Sequence, residues 1–238
     1  MTLISQRIPV GTLAAAMLLA GVAGCHDGPL YGLKVANPYY SMHQWKHDED
    51  IGPTDHQRLK EMRRLVAVMP RLPEDRQAAW FTHLRGIMDH DSSPEMRRLA
   101  VIAAGNTQLS GSSELIGRGL KDDSLKVRLA ACQVLGERGD EASARVLAET
   151  AGSTSDPDVR NAALAALGKH SGKIAVDALK LALDTRDPAT RDLAIASLRG
   201  ATGKDYGDDP EVWIAALDGK DVPAKPTQIA DRLRELWR

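Results

Sequence analysis

An arginine-centred pattern that recurs every 31 or 32 residues constrains the fold of this chain more than any other feature. The four copies carry Arg97, Arg128, Arg160 and Arg191. Counted from the residue before each arginine, apolar or small residues recur at i, i+3, i+4, i+7 and i+8, which is one face of an α-helix. In the third copy these residues are Val159, Ala162, Ala163, Ala166 and Leu167. The pattern predicts four amphipathic helices that present the same face to a core.

The residues at the helix borders agree with this period. Ser93, Asp156 and Asp187 each precede a proline, and a Ser or Asp N-cap followed by proline is typical of a helix start. Glycine follows the apolar face in every copy, at Gly105, Gly136, Gly168 and Gly200. We expect these glycines to end the helices in the left-handed conformation that glycine adopts easily.

A second apolar segment follows each copy, so the repeating unit is predicted to be a helical hairpin. These segments lie at about residues 115–120, 142–147, 175–183 and 212–217. The similarity of Met62–Leu65 to Met96–Leu99, followed by a partner helix over Glu74–Met88, indicates an earlier hairpin. One hairpin cannot bury its apolar face alone, so stacked hairpins share a continuous core. We predict an all-α protein, an α/α superhelix of about five hairpins over residues 53–238, with a closing amphipathic helix at Thr227–Trp237.

The third copy, Asp156 to Gly168, carries a recognisable motif. It reads Asp-Pro-x-Val-Arg followed by Ala-Ala-x-x-Ala-Leu-Gly. The motif resembles HEAT repeats of the short bacterial kind shared with phycobilisome lyases, although standard HEAT units are longer, at ~40–47 residues. The resemblance covers residues 90–200 well and the flanking hairpins weakly. It implies a HEAT-like α-solenoid and suggests, as an alternative function, an enzyme related to chromophore lyases.

The N-terminal segment has the order of a secretory signal. Arg7 precedes the largely apolar run Ile8–Leu19, which is too short for a stable membrane span, and small residues follow it. Residues 1–24 are therefore expected to be a signal peptide.

A cysteine ends this segment in the sequence Val22-Ala23-Gly24-Cys25. These residues resemble the lipobox of bacterial lipoproteins, in which Leu is more usual than Val22. The resemblance implies cleavage before Cys25 and a diacylglycerol on its sulfur, hence an extracytoplasmic protein held at the membrane by lipid. Because His26 rather than Asp follows, the outer membrane is favoured if the cell has two membranes. An ordinary cleaved signal is the alternative.

The charge composition of the chain narrows the classes of partner that it could bind. The formal net charge is −1, with acids and bases interspersed, so no patch for nucleic acid is indicated. With Cys25 modified, Cys132 has no second cysteine with which to form an intramolecular disulfide. Residues 25–52 form a leader with four aromatic side chains, Tyr31, Tyr39, Tyr40 and Trp45. We expect these rings to cover the first hairpin; an arm that binds a partner is the alternative.

The residues that could carry chemistry are few. Arg97, Arg128, Arg160 and Arg191 are interpreted as a structural ladder, paired with acids of neighbouring units such as Asp156 and Asp187. His43 and His47 are weak candidates for metal ligands, but the absence of cysteine ligands and of apolar periodicity around them favours a solvated polar stretch. No catalytic triad, phosphate-binding loop or Cys-x-x-Cys motif is found, so we predict neither a cofactor nor an enzyme.

These observations predict a lipid-anchored HEAT-repeat scaffold that binds another protein at the cell envelope. The second helices of such arrays usually line the binding side. The contact residues chosen by that position are Glu114, Arg118, Arg145, Glu149, Lys173, Asp177 and Lys180. A passive structural protein of the envelope is a further alternative.

Overall fold

The computed structural model of the protein describes residues 52–107, 109 and 111–224. Within these residues there are ten α-helices and no strand. They are α1 (Asp55–Val68), α2 (Glu74–His90), α3 (Pro94–Gly105), α4 (Gly111–Gly119), α5 (Leu125–Arg138), α6 (Glu141–Ser153), α7 (Pro157–Leu167), α8 (Lys173–Ala182), α9 (Pro188–Thr202) and α10 (Pro210–Leu217), with a short 3₁₀ turn at Met69–Arg71. In chain order the helices make five consecutive pairs, which confirms the predicted all-α repeat fold.

Backbone contacts divide the chain into two units, residues 1–58 and 59–238. Of the first unit the structure describes residues 52–58, where Thr54 and Gln57 form reciprocal hydrogen bonds at the start of α1. The predicted signal peptide, the leader up to residue 51 and the predicted closing helix lie outside the described residues, as do Cys25, His43 and His47. Among the helices that are described, none has the length and apolar character needed to cross a membrane.

The first helices of the repeats begin as the sequence predicts. The Ser93 hydroxyl accepts a hydrogen bond from the backbone N–H of Met96 at the start of α3, and Pro94 occupies the first turn. Asp156 caps α7 in the same way, accepting from the backbone N–H groups of Asp158 and Val159. Side-chain oxygens at these positions satisfy amide groups that have no partner within the helix.

The glycines that follow the apolar faces do not have the predicted conformation. Gly168 ends α7 with φ of −60°, while the left-handed caps fall on Gly139 after α5 and Gly203 after α9, with φ of 70° and 67°. Gly105, Gly136 and Gly200 also lack a positive φ. The expectation that these four glycines end the helices in the left-handed conformation was therefore wrong.

Close packing between helices accounts for these glycines instead. A Cβ added to Gly136 would lie 2.9 Å from the Cβ of Ala166, and one added to Gly168 would lie 2.9 Å from the Cα of Ser197. On Gly200 it would lie 2.6 Å from the carbonyl oxygen of Gly168. The glycines let the backbones of neighbouring first helices approach, a use of glycine that needs no special φ.

Within residues 59–224 the helices form two layers around one core. The first helices α3, α5, α7 and α9 pack side by side, and α4, α6 and α8 each contact both their own first helix and the next one. Leucines of the second helices are fully buried between the layers, including Leu115, Leu147 and Leu179. Cys132 on α5 is buried in the protein core. Burial raises the pKa of its thiol to about 11, so the thiol stays protonated at neutral pH.

Candidate functional site

The more buried of the two ion pairs in the ladder is formed by the arginine of α3. Arg97 on α3 binds both carboxylate oxygens of Asp122, at 2.8 and 3.0 Å, and donates to the backbone carbonyl of Asp91 at 2.8 Å. Only 15% of the Arg97 side chain and 7% of the Asp122 side chain are exposed. The hydrogen bond from Arg97 lowers the pKa of Asp122. Sequence analysis missed Asp122, which lies two residues before the N-cap of the following helix.

Arg128 on α5 continues the same arrangement into the next repeat. Its guanidinium donates to a carboxylate oxygen of Asp156 at 2.8 Å and to the backbone carbonyl of Asp122 at 2.7 Å. This hydrogen bond lowers the pKa of Asp156, which also caps α7. Here the acid is the N-cap residue itself, so the partner position shifts by two residues between repeats.

The ladder of ion pairs stops at Arg160 on α7. Its guanidinium donates to the backbone carbonyl of Thr154 at 2.8 Å but forms no ion pair with any residue that the structure describes. Asp187, the partner expected from the sequence, instead accepts hydrogen bonds from Ala189 and Thr190 at the start of α9. Thr190 is the main cause of the lowered pKa of Asp187, to which the charge of Arg191 also contributes. The expected pairing of Asp187 with the arginine of a neighbouring unit was therefore wrong.

We expect Arg97→Ala to lower the free energy of unfolding by about 1–3 kcal/mol, because the Asp122 carboxylate would stay buried without its arginine. Arg160→Ala is expected to lower it by about 0.5–1.5 kcal/mol, since it removes one hydrogen bond to a backbone carbonyl. Urea denaturation followed by circular dichroism measures both values. Equal losses would contradict the difference in pairing seen between the two repeats.

The seven charged residues chosen for the second helices differ in their ion pairs. Three of them link neighbouring elements: Glu114 with Arg85, Arg118 with Asp89, and Lys180 with Asp218. Three others pair along their own helix, where Arg145 binds Glu141 and Lys173 binds Asp177. Glu149 on α6 is exposed and has no ion-pair partner among the described residues.

A groove between α4 and α6 brings three of these seven residues together. The two helices approach each other less closely than α6 and α8 do, which leaves a volume of about 510 Å³. Leu120, Val146 and Val159 give this α4–α6 groove apolar walls. Its charged lining residues are Glu114, Arg118, Lys121 and Glu149.

A second groove, of about 340 Å³, lies on the other side of α6. We call it the α6–α8 groove, and it is lined by Ala148, Ala151, Gly152, Arg160, Leu164, Ala178, Leu181, Ala182, Thr185 and Thr190. Leu181 is 73% exposed, which is high for a leucine on a helix of the repeat array. Arg160 is the charged residue of this lining, so the guanidinium without a carboxylate partner faces a mainly apolar groove.

Across residues 52–107, 109 and 111–224, no group of three or more His, Cys, Asp and Glu side chains is arranged to hold a metal ion. The two histidines singled out from the sequence lie outside these ranges. The grooves beside α6 form the candidate site, since one of them contains three of the seven contact residues predicted from the sequence.

Comparison with protein-family models agrees with this repeat architecture. Family models of HEAT repeats match residues 81–168 and 114–199, which together span half of the chain. The solved structure of human deoxyhypusine hydroxylase in complex with glycerol is similar, with 25% identity, a TM-score of 0.47, and coverage of 52% of this chain and 44% of that one. The matched region thus spans less than half the length of that chain. No curated protein matches this chain significantly.

Proposed function

Because the chain belongs to the HEAT-repeat family, we propose that it is a scaffold that binds another protein through its second-helix layer. The observation that carries this proposal is the pair of grooves beside α6, which combine apolar walls with charged residues, four in the α4–α6 groove and Arg160 in the α6–α8 groove. Apolar surface surrounded by polar groups is the usual composition of a protein interface. HEAT arrays present such surfaces on a stacked, rigid support.

The features of the α4–α6 groove favour a role in binding a macromolecule over a purely structural role. Its apolar walls are partly accessible, and Glu149 on its rim is exposed without an ion pair in the described structure. A partner that covers the groove removes the walls from water and can pair with this carboxylate.

We further propose that the scaffold is held at the cell envelope by lipid on Cys25. The support for this comes from the lipobox-like residues 22–25 and from the order of charge, apolar run and small residues before them. Several acyl chains give a lasting membrane anchor, since each buried CH₂ contributes about 0.8 kcal/mol. The His26 that follows favours the outer of two membranes.

Crosslinking of envelope complexes in intact cells tests both parts of the proposal. We expect Glu149→Arg to reduce recovery of a specific crosslinked protein by about tenfold, because a rim carboxylate that pairs with the partner becomes a like charge. Asp192→Arg is the matched control, since Asp192 is an exposed acid on the first helix α9. Both variants should melt within about 2 °C of wild type, as surface substitutions usually change stability little.

The anchor is tested with Cys25→Ala in the same cells. We expect this variant to remain as an unprocessed precursor or to be released, whereas wild type carries the acyl mass on its first residue. Equal recovery of partners with Glu149→Arg and Asp192→Arg, together with turnover of a small molecule by the purified protein, would contradict the scaffold. An unmodified mature N-terminus beyond residue 25 would contradict the anchor.

A further inference from the structure

We infer that the α6–α8 groove binds an acidic segment of the partner protein, in which a carboxylate side chain is flanked by aliphatic residues. The inference rests on the proposed function and specifies the chemistry that the partner presents. Arg160, where the ladder of ion pairs stops, is the residue that would bind this carboxylate.

Arg160 has unused capacity to bind a carboxylate. Its guanidinium makes one hydrogen bond, to the carbonyl of Thr154, whereas Arg97 and Arg128 at the equivalent positions each also bind an Asp carboxylate. A guanidinium presents several N–H donors in a plane and pairs with carboxylates through two parallel hydrogen bonds. In the described structure no acid fills this role for Arg160, so a carboxylate from outside the chain fits the site.

The walls of the groove favour aliphatic groups beside that carboxylate. The groove is lined by four small alanine side chains, Ala148, Ala151, Ala178 and Ala182, together with Leu164, which is 2% exposed. Leu181 leaves most of its side chain in water at 73% exposure. Apolar groups that cover this leucine remove apolar surface from water, so contact with an aliphatic neighbour of the carboxylate is favourable here.

The residues at one equivalent position of the repeats distinguish the α6–α8 groove from the α4–α6 groove. Arg118, Glu149 and Leu181 each lie 21 residues after the ladder arginine of their own repeat. The first two are charged and line the α4–α6 groove. The third is apolar and lines the α6–α8 groove with Arg160, which has no ion pair among the described residues. Along the array this position of the second helices therefore changes from charged side chains to one apolar side chain, which shares its groove with the guanidinium of Arg160 on the first helix α7.

Fluorescence anisotropy with the full-length protein in a nonionic detergent tests the inference. The probe is a labelled peptide that contains Leu-Glu-Leu, and its matched control contains Leu-Gln-Leu. We expect the Glu peptide to bind about tenfold or more tightly than the Gln peptide, because the hydrogen bonds from Arg160 are then made to a charged acceptor. Arg160→Gln should weaken binding of the Glu peptide by a similar factor, and Leu181→Asp should weaken it as well.

Arg191→Gln is the control variant, because Arg191 occupies the same repeat position on α9 but does not line this groove. It should change the affinity by less than about twofold. Equal binding of the two peptides, no effect of Arg160→Gln, or no binding of the Glu peptide would each overturn the inference. Decanoate that displaces the peptide and binds more tightly would also overturn it, in favour of a fatty-acid site.

The outcome separates this inference from the proposed function. If Glu149→Arg abolishes partner recovery in cells but neither peptide binds, the scaffold stands and the α6–α8 site fails. If the Glu peptide binds through Arg160 but no envelope protein is recovered, the site stands and the proposed function fails.

Discussion

Trp213→Ala is expected to lower the free energy of unfolding by about 3–5 kcal/mol, the largest effect of any single truncation considered for this chain. Trp213 lies on α10 and is fully buried. Its ring packs edge-on against Tyr206 with centroids 5.0 Å apart, and its indole N–H donates to the carbonyl of Gly207 at 2.7 Å. The truncation leaves a cavity and frees the loop that joins α9 to α10.

Because repeat arrays can unfold from one end, this loss should be concentrated in the last hairpin. Hydrogen exchange measured by mass spectrometry should become faster in α9 and α10 and stay unchanged in α3 and α5. Trp213→Phe is the control: it retains a ring, and the Gly207 carbonyl keeps a hydrogen bond from Arg199 at 3.0 Å. We expect Trp213→Phe to cost about 1 kcal/mol. Equal losses for the two variants would contradict a packing role.

Gly168→Ala is expected to lower the free energy of unfolding by about 1–3 kcal/mol, which is the range for overpacking a close contact. The added Cβ would lie 2.9 Å from the Cα and 3.1 Å from the backbone oxygen of Ser197. These are backbone atoms in the middle of α9, so α7 and α9 must move apart to accept the methyl group. Thermal unfolding should show a decrease in Tm of several degrees, since about 1 kcal/mol corresponds to roughly 2–4 °C at this size.

Gly86→Ala is the matched control for that substitution. Gly86 lies inside α2, and a Cβ added there meets no atom within 4 Å. Alanine is the better helix former, so this variant should gain about 0.5–1 kcal/mol. A stabilising effect of Gly168→Ala would show that the helices do not need the close approach.

The sequence was sufficient for features that depend on neighbours in the chain. Apolar positions at i, i+3, i+4, i+7 and i+8 predicted the first helices, and Ser93 and Asp156 were identified as N-caps because a cap binds amides two or three residues away. The hairpin repeat followed from the spacing of the arginines together with the second apolar segment after each copy. Periodicity and capping are local, so one sequence reports them directly.

The structural roles of the glycines could not be predicted from the sequence in the same way. The position after an apolar face is typical of a left-handed cap, and Gly168 lies in it, yet the structure assigns the caps to Gly139 and Gly203. What decides the role of Gly168 is the distance to Ser197 on another helix. That distance depends on how the first helices pack, which a repeat pattern does not specify.

The sequence by itself therefore determined the all-α class, the hairpin unit and the placement of one arginine per repeat. The tertiary structure alone decided which acid each arginine binds and where the second helices leave grooves. Asp156 binds Arg128 while Asp187 is turned to Thr190, although the two acids occupy the same position in the repeat. The physical reason is competition for the second carboxylate oxygen. Asp156 caps its own helix through one oxygen and accepts from Arg128 with the other, whereas the second oxygen of Asp187 accepts from Thr190.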